Sequence, residues 1–214
     1  MAFDVLKYNK ISDQLPQALN PGLAKTPSGP VIGLDRDGII NIIPEEGYVK
    51  TPSNLRIYDG VLDAIKMMRT KDYKVTIIAD QPSIAKGFLT PADVDVVNQR
   101  LMEIFGQAGI MSIEGLYYNT SNAKEDMYAK PNLGMMQRAE KEMPGVDFSK
   151  GYYVGDTLVD LKMAVRAKAH PILIQTGNGE ETEKLLNKFS NQELKKKARI
   201  YSSLLEFAED LPQL

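Results

Sequence analysis

The chain has 214 residues, 43% of them hydrophobic and 25% charged, with a formal net charge of −2. These are the values of a soluble globular domain long enough to bury a substantial core. It holds no cysteine and one histidine, which excludes disulfides, thiolate nucleophiles, cysteine-ligated zinc and multi-histidine metal sites. No apolar run approaches the roughly 20 residues of a membrane span. The N-terminal MAFDVLKYNK lacks the apolar core of a secretory signal, and the charge balance lacks the basic face of a nucleic-acid binder. The expectation is a cytoplasmic protein with no membrane or nucleic-acid partner, whose chemistry falls to carboxylates, lysine, hydroxyls or a hard metal ion.

Residues 1–30 carry Pro16, Pro21, Pro27 and Pro30 with little periodicity, and read as an irregular arm on a domain spanning 31–214. From residue 31, apolar runs alternate with helical periodicity. Residues 31–34 predict a strand ending at Asp35. Val61, Leu62, Ile65 and Met68 share one face of a helix over 60–71, and 75–78 form a second strand run. Thr90 and Pro91 are N-cap and first residue of a helix reaching about residue 108. Residues 116–118 are a third strand, and Pro131 opens a helix carrying Leu133, Met136 and Ala139. Residues 152–154 are a fourth strand ending at Gly155-Asp156, followed by a helix to about residue 168. His170 opens the fifth strand, 172–174, and is expected to carry no chemistry. Residues 180–198 read as helical, with Lys195, Lys196 and Lys197, and Arg199 beyond them, on a solvated face. A short sixth strand at 200–201 precedes a last helix over 203–210.

This alternation predicts an α/β fold, a three-layer, Rossmann-like parallel sheet with helices on both faces. In such sheets ligands sit beyond the carboxyl ends of the strands. Asp35, Asp80 and Asp156 each follow an apolar strand run. A single acid there is often only a turn or cap; three aimed at one rim point to a site. In Asp35-Arg36-Asp37-Gly38 the glycine lets the chain turn so that both acids converge. Asp160, one helical turn past Asp156, is either a favourable first-turn charge or a metal ligand. Clustered carboxylates raise one another's pKa unless a cation is present, and magnesium, with its oxygen ligands, is the first candidate. Lys130 adds positive charge ahead of a helix start, where anions bind. Cation, nucleophilic carboxylate and lysine outline a phosphoryl-transfer site.

In these motifs the chain resembles the haloacid dehalogenase (HAD) superfamily of phosphatases. It is most similar to the branch containing histidinol phosphate phosphatase and D,D-heptose 1,7-bisphosphate phosphatase. The resemblance covers about residues 31–210. It rests on Leu34-Asp35-Arg36-Asp37-Gly38, Asn41, Gly47-Tyr48-Val49, Asp59-Gly60-Val61, Gln81, Ile84-Ala85-Lys86-Gly87, Lys130-Pro131, Tyr153-Val154-Gly155-Asp156 with Asp160, and Thr176-Gly177. It implies an aspartyl-phosphate mechanism with Asp35 as nucleophile and Asp37 as general acid and base. Asp35, Asp156 and the Asp37 carbonyl would hold magnesium, with Asp160 as the further acid of that site. Lys130, Asp80, Gln81 and Lys86 would contact substrate. Residues 38–50 would form a small flap in a fold with minimal or no cap, and the substrate would be a small phosphorylated metabolite. Residues 119–129, NTSNAKEDMYA, lack the cysteines and histidine with which many members bind a structural zinc, so none is expected.

The chain also departs from the family pattern. Ala79 stands where a phosphate-binding hydroxyl is usual, Asp80 where asparagine is usual, and Ala129 where an arginine precedes Lys-Pro. Two further readings follow: a weak or non-catalytic relative that binds a phosphorylated ligand or partner, and a polynucleotide 3′-phosphatase.

Overall fold

The structure, a computed structural model, describes residues 30–143 and 145–214; the arm read over 1–30 lies outside them except for Pro30. Six parallel strands form one sheet: β1 (Val31–Leu34), β2 (Lys74–Asp80), β3 (Gly115–Asn119), β4 (Tyr152–Gly155), β5 (His170–Ile174) and β6 (Arg199–Tyr201). Their order is β3-β2-β1-β4-β5-β6. The direction of winding therefore reverses between β1 and β4, and a crevice opens there at the carboxyl ends, where ligands of doubly wound sheets bind.

Two-residue alternation along the strands builds two cores. Ile32, Leu34, Val75, Ile77 and Ala79 face helices α1 (Val61–Thr70), α3 (Pro91–Gln107) and α8 (Leu204–Asp210). Val31, Ile78, Tyr117 and Tyr153 face α4 (Gly134–Glu142) and α5 (Leu158–Arg166). A smaller cluster of Leu161, Leu173 and Leu186 seats α6 (Gly179–Leu186) and α7 (Gln192–Lys197). Strands buried on both faces need continuous apolar runs, which is why they stood out in the sequence. A further short helix, α2 (Pro82–Ala85), follows β2 directly.

The cap read at Thr90 is a full capping box: its hydroxyl accepts from Asp93 N–H, and the Asp93 carboxylate accepts from Thr90 N–H at 2.8 Å. Two expectations need correction. Pro131 does not open a helix. Residues 127–134 fold back on themselves, with Asn132 N–H donating to Ala129 O and Gly134 N–H to Met127 O, both at 2.9 Å, and α4 begins only at Gly134. Nor is 180–198 one helix. It is α6, a 3-10 turn (Phe189–Asn191) and α7. A straight helix of that length would run about 28 Å and overshoot β6, which must return beside β5. Lys195, Lys196 and Lys197 are exposed at the end of α7, as read. His170 is the exposed first residue of β5. Among the described residues no helix is long and apolar enough to cross a membrane.

Candidate active site

After β1 the chain stays pinned to the sheet for one more residue, Asp35 N–H donating to Val154 O at 2.9 Å. It then turns tightly: Arg36 O accepts from Ile40 N–H at 2.8 Å and Asn41 N–H at 3.1 Å. Gly38 makes that turn at φ +89°, and a Cβ there would run into the Asp156 carboxylate, as would one on Gly177. Only glycine combines that backbone with that close approach. The turn thus sets Asp35 and Asp156, from the two strands flanking the crevice, against each other.

Lys130 reaches the same point from the loop before α4. Its Nζ lies 2.9 Å from Asp35 Oδ1 and 2.9 Å from Asp160 Oδ1, and 5.4 Å from the ring centroid of Tyr153. The other Asp160 oxygen caps α5, accepting from Thr157 N–H and its hydroxyl. Both sequence readings of Asp160, helix-end charge and cluster acid, thus describe one side chain. Asp156 Oδ2 accepts from Asn178 N–H at 2.8 Å and its Nδ2 at 2.9 Å. Oxygens of Asp35, Asp156 and Asp160 lie within 4.8 Å of one another. Asp80 ties Lys130 down: its Oδ2 accepts from Lys130 N–H at 3.2 Å and its Oδ1 from Asn119 Nδ2 at 3.1 Å.

Asp37 stands apart from that cluster. Its Oδ2 accepts from Arg36 Nη2 at 2.8 Å and Gln81 Nε2 at 2.6 Å, and its Oδ1 from Asn41 Nδ2 at 2.9 Å. The side chains of Asp35 and Asp37 remain 13% and 22% exposed, while those of Lys130 and Asp160 are almost fully buried. The two acids assigned to chemistry are therefore the ones open to a ligand.

The charges do not balance. Burial pushes the Asp35 carboxyl well above the usual carboxylate range; Lys130 opposes this, and Asp160 and Asp156 add to it. Asp156 is raised to about 6 by burial and by Asp160. Burial would lower Lys130, but Asp160 and Asp35 outweigh it and hold the ammonium charged, well above its ordinary value. Asp37 goes the other way: burial is outweighed by the Arg36 guanidinium and the bonds from Asn41 and Gln81, and its pKa falls. Asp80 is raised by burial. Three buried acids around one lysine leave negative charge uncompensated, and hard oxygen donors in that state suit a small divalent cation.

A cavity of about 470 Å³ opens over this cluster. Asp35, Asp37, Asp80, Gln81, Lys86, Lys130, Asp156 and Asp160, the residues singled out from the sequence, all line it. Ile43, Glu46, Gly47 and Tyr48, from the segment read as a flap, form its roof, and the Tyr48 ring stacks on Phe88 with centroids 5.5 Å apart. Ala79 is not at the cavity; it is 1% exposed within the core facing α1 and α3. Ser83, Phe88, Thr157, Val159 and Asn178 also line the cavity and were not assigned to it from the sequence. Asn178 had a usable signal, since it follows β5 at the same rim.

Fold and site define the class, a HAD-type phosphatase: a Rossmann-ordered parallel sheet with D-x-D-G after β1, a lysine before α4 and G-D-x-x-x-D after β4. The sequence profile of the polynucleotide kinase 3 phosphatase family matches residues 31–172. The D-glycero-D-manno-heptose-1,7-bisphosphate 7-phosphatase of Chlorobaculum tepidum is 32% identical over 168 residues, which is 72% of this chain and 83% of that relative. The corresponding Escherichia coli (strain K12) protein is 30% identical over 159 residues, 70% of this chain and 81% of its own. The crystal structure of D,D-heptose 1,7-bisphosphate phosphatase from B. bronchiseptica, complexed with magnesium and phosphate, superposes with a TM-score of 0.74 at 26% identity, covering 85% of this chain and 97% of that one. The chain belongs to the polynucleotide kinase 3 phosphatase family of the HAD superfamily, in the branch of the heptose bisphosphate phosphatases.

Proposed function

We propose that the protein is a magnesium-dependent phosphomonoesterase that hydrolyses a small sugar phosphate through an aspartyl phosphate on Asp35. The observation that carries this is the position of Asp35. Its carboxylate, open to the cavity, touches the Lys130 ammonium at 2.9 Å and lies within the three-acid cluster.

The cluster fits the cation: Asp35, Asp156 and the Asp37 carbonyl would hold it, with Asp160 behind them. Bound there, a divalent ion supplies charge neutralisation for the acids and the phosphoryl oxygens. The chain does the rest. Lys130, kept charged by its acid neighbours, holds a phosphoryl oxygen against Asp35. An Asp35 oxygen attacks phosphorus, the ester P–O bond breaks, and Asp37 gives a proton to the departing alkoxide. Asp37 then takes a proton from the water that hydrolyses the acyl phosphate. Its lowered pKa suits this second role, and the anionic substrate, arriving as a like charge, favours its protonated form for the first. Asp80 acts through Lys130 by fixing its backbone, Gln81 acts through Asp37, and Lys86, exposed at the rim, meets the rest of the substrate.

A 3′-phosphorylated polynucleotide, the substrate class in the family's name, would need a basic track for its backbone. The cavity mouth offers Lys86 opposed by Glu46. A purely binding role does not need the acid pair of Asp35 and Asp37 presented together. The test is phosphate release from heptose 1,7-bisphosphate, other sugar phosphates, histidinol phosphate and a 3′-phosphorylated oligonucleotide, each with magnesium and with EDTA. Magnesium-dependent turnover of a sugar phosphate supports the proposal. Preference for the oligonucleotide, or turnover unaffected by EDTA, refutes it.

A further inference from the structure

Helix α3 presents one apolar stripe to the sheet: Val94, Val97, Leu101, Met102 and Phe105 are buried on it. Asn98 sits in the middle of that stripe and is 0% exposed. A polar side chain there costs stability unless it serves a partner. Its Oδ1 accepts from Arg36 Nη1 at 2.7 Å, while its Nδ2 has no hydrogen-bond partner among the described residues. Arg36 is itself 1% exposed. Its Nη2 donates to Asp37 Oδ2 at 2.8 Å and to Gln81 Oε1 at 2.9 Å, and Gln81 Nε2 donates onward to Asp37 Oδ2 at 2.6 Å.

We infer that Asn98 is a positioning residue for the Asp37 carboxylate, acting through the buried Arg36 and Gln81. The inference rests on the acid/base role proposed for Asp37. A polar pair kept only for core stability would satisfy its own groups. Here Arg36 Nε and Asn98 Nδ2 are both buried without partners, while every bond that Arg36 and Gln81 make between them leads to Asp37 or holds the other. Arg36 reaches toward α3 on one side of the sheet, and Asp35 reaches Lys130 on the other. Adjacent residues on the β1 exit thereby keep the two carboxylates in separate settings, one with the acid cluster and one with a guanidinium. Without the Asn98 acceptor the guanidinium loses the anchor that fixes its plane, and Asp37 loses its direction while Asp35, Lys130 and the acid cluster stay in place.

Proton donation matters most when the leaving group is a poor one. Kinetics are therefore compared on an alkyl phosphate and on p-nitrophenyl phosphate, for the wild type, Asn98→Leu and Asn98→Asp, the last of which keeps an acceptor. For Asn98→Leu, kcat on the alkyl ester is expected to fall about ten- to a hundredfold, the worth of a hydrogen bond to a charged group. On p-nitrophenyl phosphate it is expected to fall less than about threefold, with KM on both within about twofold. Asn98→Asp is expected to recover most of the alkyl rate. Equal losses on the two esters, a change in KM alone, or wild-type kinetics in Asn98→Leu would overturn the inference. If Asn98→Leu does not fold, Asn98→Ser and Asn98→Asp are compared instead, and a serine variant without the leaving-group bias overturns it equally. A wild type without Asp35-dependent turnover of either ester would instead remove the proposed function beneath it.

Discussion

Replacing Asp156 by asparagine is expected to stabilise the metal-free protein while abolishing its response to magnesium. The carboxyl is 1% exposed and its pKa is raised from 3.8 to about 6 by burial and by Asp160. At 1.36 kcal/mol per unit, a rise of about two units costs the ionised, folded protein about 3 kcal/mol. The unfolded chain releases this proton near pH 3.8 and the folded chain near 6, so between those values the folded state holds more protons. Stability of the metal-free protein therefore declines as pH rises through that window, and the full cost persists above it. Asparagine keeps one oxygen to accept both Asn178 bonds, so the charge goes without orphaning those donors. Urea denaturation in EDTA at pH 8 is expected to show Asp156→Asn more stable than wild type by up to about 3 kcal/mol, and by under about 1 kcal/mol at pH 4. Magnesium at about 100 times its dissociation constant is expected to return about 2.7 kcal/mol to the wild type and little to the variant. A variant no more stable than wild type in EDTA at pH 8 would refute the charge imbalance on which the metal assignment stands.

Lys130→Met leaves Asp35 and Asp160 buried without their shared cation, and a loss of about 3–5 kcal/mol is expected in EDTA by urea denaturation; an unchanged midpoint would show that Lys130 does not balance the cluster. Gly38→Ala puts a side chain at φ +89° and a methyl into the Asp156 carboxylate, so stability should fall by more than about 1 kcal/mol and magnesium affinity, read by calorimetry, should fall with it; unaltered affinity would contradict the geometry of the turn. Ala79→Thr places a hydroxyl in the core facing α1 and α3, with an expected cost of about 1–3 kcal/mol and no gain in kcat; a tenfold faster variant would put residue 79 at the phosphate.

The sheet was legible because both of its faces are covered. Burial on both sides demands unbroken runs such as 75–78, and the acid ending each run marks the rim without further help. The eight assigned residues converge because the D-x-D-G and G-D-x-x-x-D motifs are local, each held by one strand end. What stayed hidden is long-range. Nothing near Pro131 signals that residues 127–134 fold back before α4 starts, and nothing within 180–198 records that the chain must return to β6. Asn98 lies 62 positions from Arg36; its one local sign is a polar residue on an otherwise apolar stripe. Ala79 was tied to the phosphate by family pattern, but the two-residue alternation of β2 turns its methyl to the core with Ile77, and turns Asp80 to the side of Lys130.

The central claim is that Asp35 carries the phosphoryl group between two half-reactions. Turnover of heptose 1,7-bisphosphate with magnesium, quenched into borohydride and read by peptide mass spectrometry, tests it directly, because borohydride reduces an aspartyl phosphate to homoserine. The expected result is homoserine at position 35 in the wild type during turnover, and neither homoserine nor phosphate release in Asp35→Asn. Reduction at another residue, or turnover undiminished in Asp35→Asn, would contradict the account.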